Sequence, residues 1–173
     1  MRKVYISKIG AWVFGVLLLG LNVAHATGES APKFDLRALD GKRYTEQYLL
    51  GRPTLVVFWA SWCPVCQVEL PKLHALFEDA KDDGLRVLAI GFVDDEENIR
   101  NYVRTHAKSF DYPVLYDPGD RVAKRFGVLG TPTIYLINQR GEIVYVTWMI
   151  EDPALLDKLK LLLDGMQSIE FRE

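Results

Sequence analysis

Val57-Phe58-Trp59-Ala60-Ser61-Trp62-Cys63-Pro64-Val65-Cys66 is the stretch on which the reading of this chain turns. Its first part belongs to a run, Thr54 to Ala60, that is nearly all apolar and rich in β-formers. A run without polar alternation predicts a strand covered on both faces. From Pro64 to about Ala80 the period changes. Cys66, Leu70, Leu73, Phe77 and Ala80 recur at spacings of three and four, which draws one apolar stripe along a helix. Pro64 suits the first helical position, where no N–H is needed, whereas Pro71 falls inside and is expected to kink the helix. Two cysteines thus open a helix directly after a buried strand. The unpaired N–H groups and partial positive charge at such a helix start favour a thiolate over a thiol. Cys63, at the very start, is expected to be the exposed attacking nucleophile. Cys66, one turn further in and on the stripe, is expected to be the buried resolving thiol.

These are the only cysteines among 173 residues. A purely structural bridge is a weak explanation, because so short a loop removes little unfolded-state entropy. A zinc site needs two further ligands, yet there is no second Cys pair, and His74 and His106 stand apart. Covalent haem attachment needs His after the second Cys, where Gln67 stands. A redox dithiol at Cys63 and Cys66, working without metal or cofactor, is the reading that remains.

Outward from this centre, Phe34-Asp35-Leu36 and Lys42-Arg43-Tyr44 flank Leu39-Asp40-Gly41, and the Asp-Gly pair predicts a hairpin. Downstream, Leu85 to Val93 reads as a second buried strand. A helix capped by Asp94 or Asp95 follows, running to about Lys108. Pro113 to Tyr116 is a short strand, and Asp117-Pro118-Gly119 leads into a short helix ending near Gly127. Thr133 to Ile137 and Glu142 to Trp148 pair as a hairpin. Asp152-Pro153 opens a last helix with Leu155, Leu156, Leu159, Leu162 and Leu163 on one face. This order predicts one α/β domain, over 34–173, with a mixed central sheet flanked by helices.

Residues 27–33 read as a linker. Before them Arg2, Lys3 and Lys8 precede an uncharged apolar run from Ile9 to Leu21 and then Ala24-His25-Ala26. That is the tripartite pattern of a secretory signal peptide, with an uncleaved membrane anchor as the competing reading of residues 1–26. Either one places the domain outside the cytoplasm, in the periplasm or facing it from the membrane. A formal net charge of −2, with 49% hydrophobic and 25% charged residues, argues against nucleic acid as a partner.

The central stretch resembles the active-site segment of the thioredoxin superfamily. Pro71 matches the proline inside the corresponding thioredoxin helix, and Gly130-Thr131-Pro132-Thr133 resembles the superfamily's cis-proline loop. With the leading hairpin and the helix inserted after Val93, the chain is similar to the exported TlpA/ResA/CcmG-like branch. The resemblance implies a thioredoxin-like fold with an N-terminal β-hairpin extension and an inserted helix. It also implies a thiol–disulfide oxidoreductase that takes electrons from a membrane thiol transporter and passes them to a protein disulfide, in many relatives that of an apocytochrome c. Flow in the opposite direction, as an oxidant or isomerase, stays open. Two further classes rank lower. A peroxidase would carry Pro and Thr ahead of its cysteine, and a copper carrier would need flanking Met or His.

The departures point to further site residues. Val57 stands where thioredoxins place a buried aspartate that helps the resolving cysteine lose its proton. Glu69, three residues after Cys66 on the same helical face, is the natural substitute, and ResA-like proteins carry a functional glutamate there. Pro64-Val65 replaces the Gly-Pro of cytosolic thioredoxins and leaves the redox potential open. The resemblance assigns substrate contacts to Trp62, Pro64, Thr131 and Pro132, and a packed core position to Trp59. His74 is expected on a partly exposed helix face, and His106 packed on the apolar side of its helix.

Overall fold

The computed structural model describes residues 28–170. The signal peptide or anchor expected over residues 1–26 lies outside them. Among the described residues no helix is long and apolar enough to cross a membrane.

The run around the motif becomes β4 (Thr54–Trp59), in which every residue is buried. It is the middle of a mixed sheet. On one side β5 (Arg86–Gly91) pairs with it in parallel, followed in parallel by β6 (Val114–Tyr116). On the other side β7 (Thr133–Ile137) pairs antiparallel with β4, then β8 (Glu142–Thr147) antiparallel with β7. A two-residue β1 (Glu29–Ser30) closes the edge against β8, so the segment read as a linker contains an edge strand. The expected hairpin is β2 (Asp35–Arg37) with β3 (Arg43–Thr45), a separate ribbon that touches the main sheet where Ala38 bridges Leu115.

Side chains alternate across a strand, so β4 feeds two cores. Leu55, Val57 and Trp59 face α1 (Pro64–Ala80), α2 (Glu96–Thr105) and α4 (Pro153–Glu170). Val56 and Phe58 face the hairpin and α3 (Arg121–Phe126). Each fully buried aliphatic or aromatic side chain contributes roughly 1.5–3 kcal/mol. Filling both faces therefore pins β4, and with it the start of α1, to the centre of the molecule. Gly91 ends β5 under α2, where a Cβ would come within 2.8 Å of Ile99 Cδ1; the glycine lets α2 seat closely.

Three expectations are corrected. In α4, Leu155, Leu159 and Leu163 are buried but Leu156 is exposed, because the helix turns it away from the sheet. The second helix ends at Thr105, and a separate one-turn helix, Ala107–Ser109, follows. His106 sits at the break between them, exposed, with its ring stacked on Tyr102 at 4.2 Å instead of packed into the core.

Candidate functional site

The turn from β4 into α1 places Cys63 as the N-cap of the helix and Pro64 as its first residue. A capping side chain must fold back to meet the helix amides, and Cys63 Sγ accepts from Cys66 N–H at 3.1 Å. The same sulfur lies 3.6 Å from the carbonyl oxygen of Thr131. Both contacts draw the thiol inward. Cys63 is only 3% exposed, which corrects the expectation of an exposed nucleophile. Its surroundings are nonetheless open, for Trp62, Pro64 and Val65 are all solvent-exposed.

Cys66 is fully buried, as its place on the apolar stripe requires. Both cysteines are free thiols. Burial, followed by the bond to Cys63, pushes the Cys66 thiol up to about 12. The hydroxyl of Thr131, 3.0 Å from Cys66 Sγ, pulls the other way. The Thr131–Pro132 peptide is cis, and the loop carries one backbone and one side-chain oxygen to the two sulfurs. The structure thus brings the Cys63–Cys66 pair together with Thr131 and Pro132, more than sixty residues further along the chain.

Glu69 joins them from below. The residue is 7% exposed and lines a small cavity with Val57, Cys66, Pro132 and Ile150. Val57 presents no acid there, so Glu69 is the carboxylate on this cavity. Two partners hold it: the Ile150 N–H donates to Oε2 at 2.7 Å, and Lys72 Nζ donates to Oε1 at 3.1 Å. Lys72 also reaches Oε2 of exposed Glu151 at 2.7 Å.

Trp59 is completely buried against Tyr102 and Phe110, a core position. Trp62 is 57% exposed and donates its indole N–H to the Val93 carbonyl at 2.8 Å. Val93 has φ 46, a left-handed conformation that a β-branched residue rarely adopts. Two hydrogen bonds hold it there, that from Trp62 and one from its own N–H to Asp120 Oδ1 at 2.7 Å. Asp94 accepts from both the backbone N–H and the hydroxyl of Ser61 at 2.7 Å, and those bonds lower its pKa against the cost of burial. Asp94, one of the two residues that read as the helix cap, therefore braces the motif loop. Nothing in the spacing announces that role.

An exposed apolar rim also escapes the sequence. Val65, Leu129 and Trp148 line an open groove of about 530 Å³ beside the cis-proline loop. They come from three segments, and only their meeting in space makes a surface.

His74 is half-buried and does not stand apart as expected. Glu78, one turn on, and Asp111 each bring a ligating atom to within 4.8 Å of the others, although the Glu78 carboxylate is already held by Lys81.

Comparisons with known proteins fit this geometry. The AhpC/TSA family model matches residues 27–146. The thiol-disulfide oxidoreductase ResA of Halalkalibacterium halodurans is 33% identical over 119 residues, covering 69% of this chain and 66% of that protein. The match thus spans just under two thirds of that relative's length. ResA of Bacillus subtilis is 26% identical over 166 residues, 95% of this chain and 91% of that protein. Among solved structures, the pneumococcal exposed lipoprotein thioredoxin Etrx1 of Streptococcus pneumoniae superposes with a TM-score of 0.63 at 30% identity, over 76% of this chain and 100% of that one.

Proposed function

The chain belongs to the AhpC/TSA family, with a thioredoxin-like fold, and from that premise we propose that it is an extracytoplasmic thiol–disulfide oxidoreductase that reduces protein disulfides. The observation that carries the reading is the environment of the two sulfurs. Cys63 caps a helix and accepts an amide N–H, while Cys66 is buried behind it beside a carboxylate.

The reaction needs only these groups. The Cys63 thiolate attacks one sulfur of a substrate disulfide, forming a mixed disulfide and expelling the other sulfur as a thiolate that takes up a proton. Glu69 accepts the Cys66 proton. The Cys66 thiolate then attacks Cys63 Sγ, expels the second substrate sulfur and closes the Cys63–Cys66 disulfide. Two electrons pass to the substrate, and a membrane thiol transporter returns them from outside. Trp62, Pro64, Thr131 and Pro132 form the surface that the substrate chain meets.

The reductase direction is supported by what touches the sulfurs. Their hydrogen-bond partners are neutral, namely an amide, a carbonyl and a hydroxyl. Strong oxidants owe their potential to a stabilised reduced form, and among the described residues no charged side chain bonds to either sulfur. Location outside the cytoplasm rests on the N-terminal charge and apolar pattern, and an apocytochrome c as substrate rests on the resemblance to the TlpA/ResA/CcmG-like branch.

The deciding measurement is the reduction potential of the pair, followed by tryptophan fluorescence in thiol buffers. A reductase is expected near the thioredoxin value of roughly −270 mV; a value near about −120 mV would make the protein an oxidant. Cys63→Ser abolishes exchange on this reading. Cys66→Ser instead traps the mixed disulfide, so the captured partner identifies the substrate.

A further inference from the structure

We propose that Lys72 is a positioning residue for Glu69, a fixed cation that sets the pH at which the second thiol step runs. The inference rests on the reading of Glu69 as the acceptor of the Cys66 proton.

A carboxylate enclosed by apolar side chains stays ionised only where partners replace its water. Glu69 has two such partners. The Ile150 N–H, at 2.7 Å from Oε2, fixes the direction of the carboxylate but brings no net charge. Lys72 Nζ, at 3.1 Å from Oε1, brings a full positive charge from one helical turn away. Each oxygen therefore has its own donor, and the plane of the group is set relative to the cavity it shares with Cys66.

Lys72 is held in turn. Its ammonium spans Glu69 and Glu151, with Glu151 Oε2 at 2.7 Å, so the flexible lysine stem is pinned at its charged end. Both bonds raise the lysine's pKa and keep it protonated. The same bridge joins α1 to the segment after β8, because Glu151 follows the residue whose N–H holds Oε2.

The charged and titratable groups facing Glu69 are few. Cys66 and Lys72 lie on its own helix, with Cys63 just ahead of that helix and Glu151 beyond β8. Tyr102 of α2 interacts with Cys66. The strands beneath contribute Val57 and Trp59 from β4 and Ile134 from β7, none of which titrates. Lys72 is thus the cation in contact with this carboxylate among the described residues.

The consequence is a pH dependence with a definite sign. Glu69 must be ionised to take the Cys66 proton. Removing the lysine charge makes protonation of Glu69 easier, so the acid limb of the rate profile moves to higher pH.

The test is single-turnover reduction of a peptide disulfide by the reduced full chain, measured from roughly pH 5 to 9. Lys72→Met and Lys72→Gln are compared with Lys72→Arg, each in the native and the Glu69→Gln backgrounds. The acid limb is expected to move to higher pH in Lys72→Met and Lys72→Gln, and to return toward native in Lys72→Arg. It is expected not to respond to Lys72 once Glu69 is glutamine. A Lys72→Gln profile that superimposes on the native one overturns the proposal, as does a shift that persists undiminished in Glu69→Gln. If Glu69→Gln itself leaves the profile untouched, the proton-acceptor reading falls and this one with it. If Glu69→Gln changes the profile and the lysine variants do not, only the role of Lys72 falls.

Discussion

Two carboxylates are buried among the described residues, and they serve opposite sides of the sheet. Glu69 lies on α1, on the face packed by α1, α2 and α4. Asp117 lies where β6 meets α3, on the face packed by the hairpin and α3. Asp117 is the more deeply buried, at 1% exposure against 7%. Its Oδ2 accepts from the N–H groups of Val122 and Ala123, both at 2.8 Å. Both donors are backbone amides, which neither titrate nor exchange electrons. Glu69 spends one oxygen on a backbone amide and the other on a lysine, and lines the same small cavity as Cys66. Depth of burial does not separate the two. What separates them is the company they keep: backbone amides for Asp117, a lysine and a cavity shared with Cys66 for Glu69.

The comparison breaks most readily at Glu69. Glu69→Gln keeps the shape and the possibility of bonding Ile150 but cannot take a proton. Resolution of the mixed disulfide is expected to slow about 10²-fold, the low end of what a positioned base contributes. The midpoint of denaturant unfolding should move little. A variant that reacts at the native rate would place Glu69 beside Asp117 as a structural acid.

Asp117→Ala is the mirror experiment. It leaves two first-turn amides of α3 without their acceptor, which is expected to cost about 2 kcal/mol of folding stability in urea titrations. The exchange rate per folded molecule should stay native, because α3 packs on the face that lacks the cysteines. Loss of exchange without loss of stability would reverse the assignment.

The contrast also marks what a sequence can disclose. The motif strand and helix were legible because their signals are local: an unbroken apolar run over Thr54 to Ala60, then a stripe at three and four. Glu69 was legible as a candidate, since three residues on a helix return to the same face as Cys66. Asp117 was not legible as an acceptor, because its partners are backbone amides, and amides are the same at every position; Asp94 was not, because Ser61 lies 33 residues away. The inward turn of Cys63 depends on a loop 68 residues away. The Lys72 bridge depends on Glu151, which spacing along α1 cannot reveal. The groove of Val65, Leu129 and Trp148 was missed for the same reason, its three parts being scattered along the chain.

A smaller effect sharpens the difference between the two faces in the alkaline range. Burial holds the Cys66 proton from its ordinary 9.0 up to about 12, so the folded protein keeps a proton that the unfolded chain releases. Stability of the reduced protein is therefore expected to fall as pH rises from about 9 toward 12, and to feel nothing from this group below that window. Tyr112 and Tyr135, also raised by burial, add to the same decline. The contribution of Cys66 is thus the difference between the native protein and Cys66→Ser, measured by urea unfolding under reducing conditions. An equal slope in both would mean that the thiol ionises at its ordinary pH.

The finest test lies at Thr131, whose hydroxyl meets Cys66 Sγ at 3.0 Å while its carbonyl meets Cys63 Sγ at 3.6 Å. Thr131→Val removes the first contact and leaves the second, because the carbonyl belongs to the backbone and valine keeps the β-branched shape that precedes Pro132. The lost hydrogen bond is expected to be worth about 1 kcal/mol, so mixed-disulfide resolution should slow by less than tenfold. Since the hydroxyl lowers the Cys66 pKa, its removal should move the thiolate absorbance of Cys66 further to alkaline pH. The first attack by Cys63 should be unchanged. If Thr131→Val slowed the first attack and spared the second, the loop would be acting on Cys63 alone, and the cavity behind Cys66 would depend on Glu69 without its help.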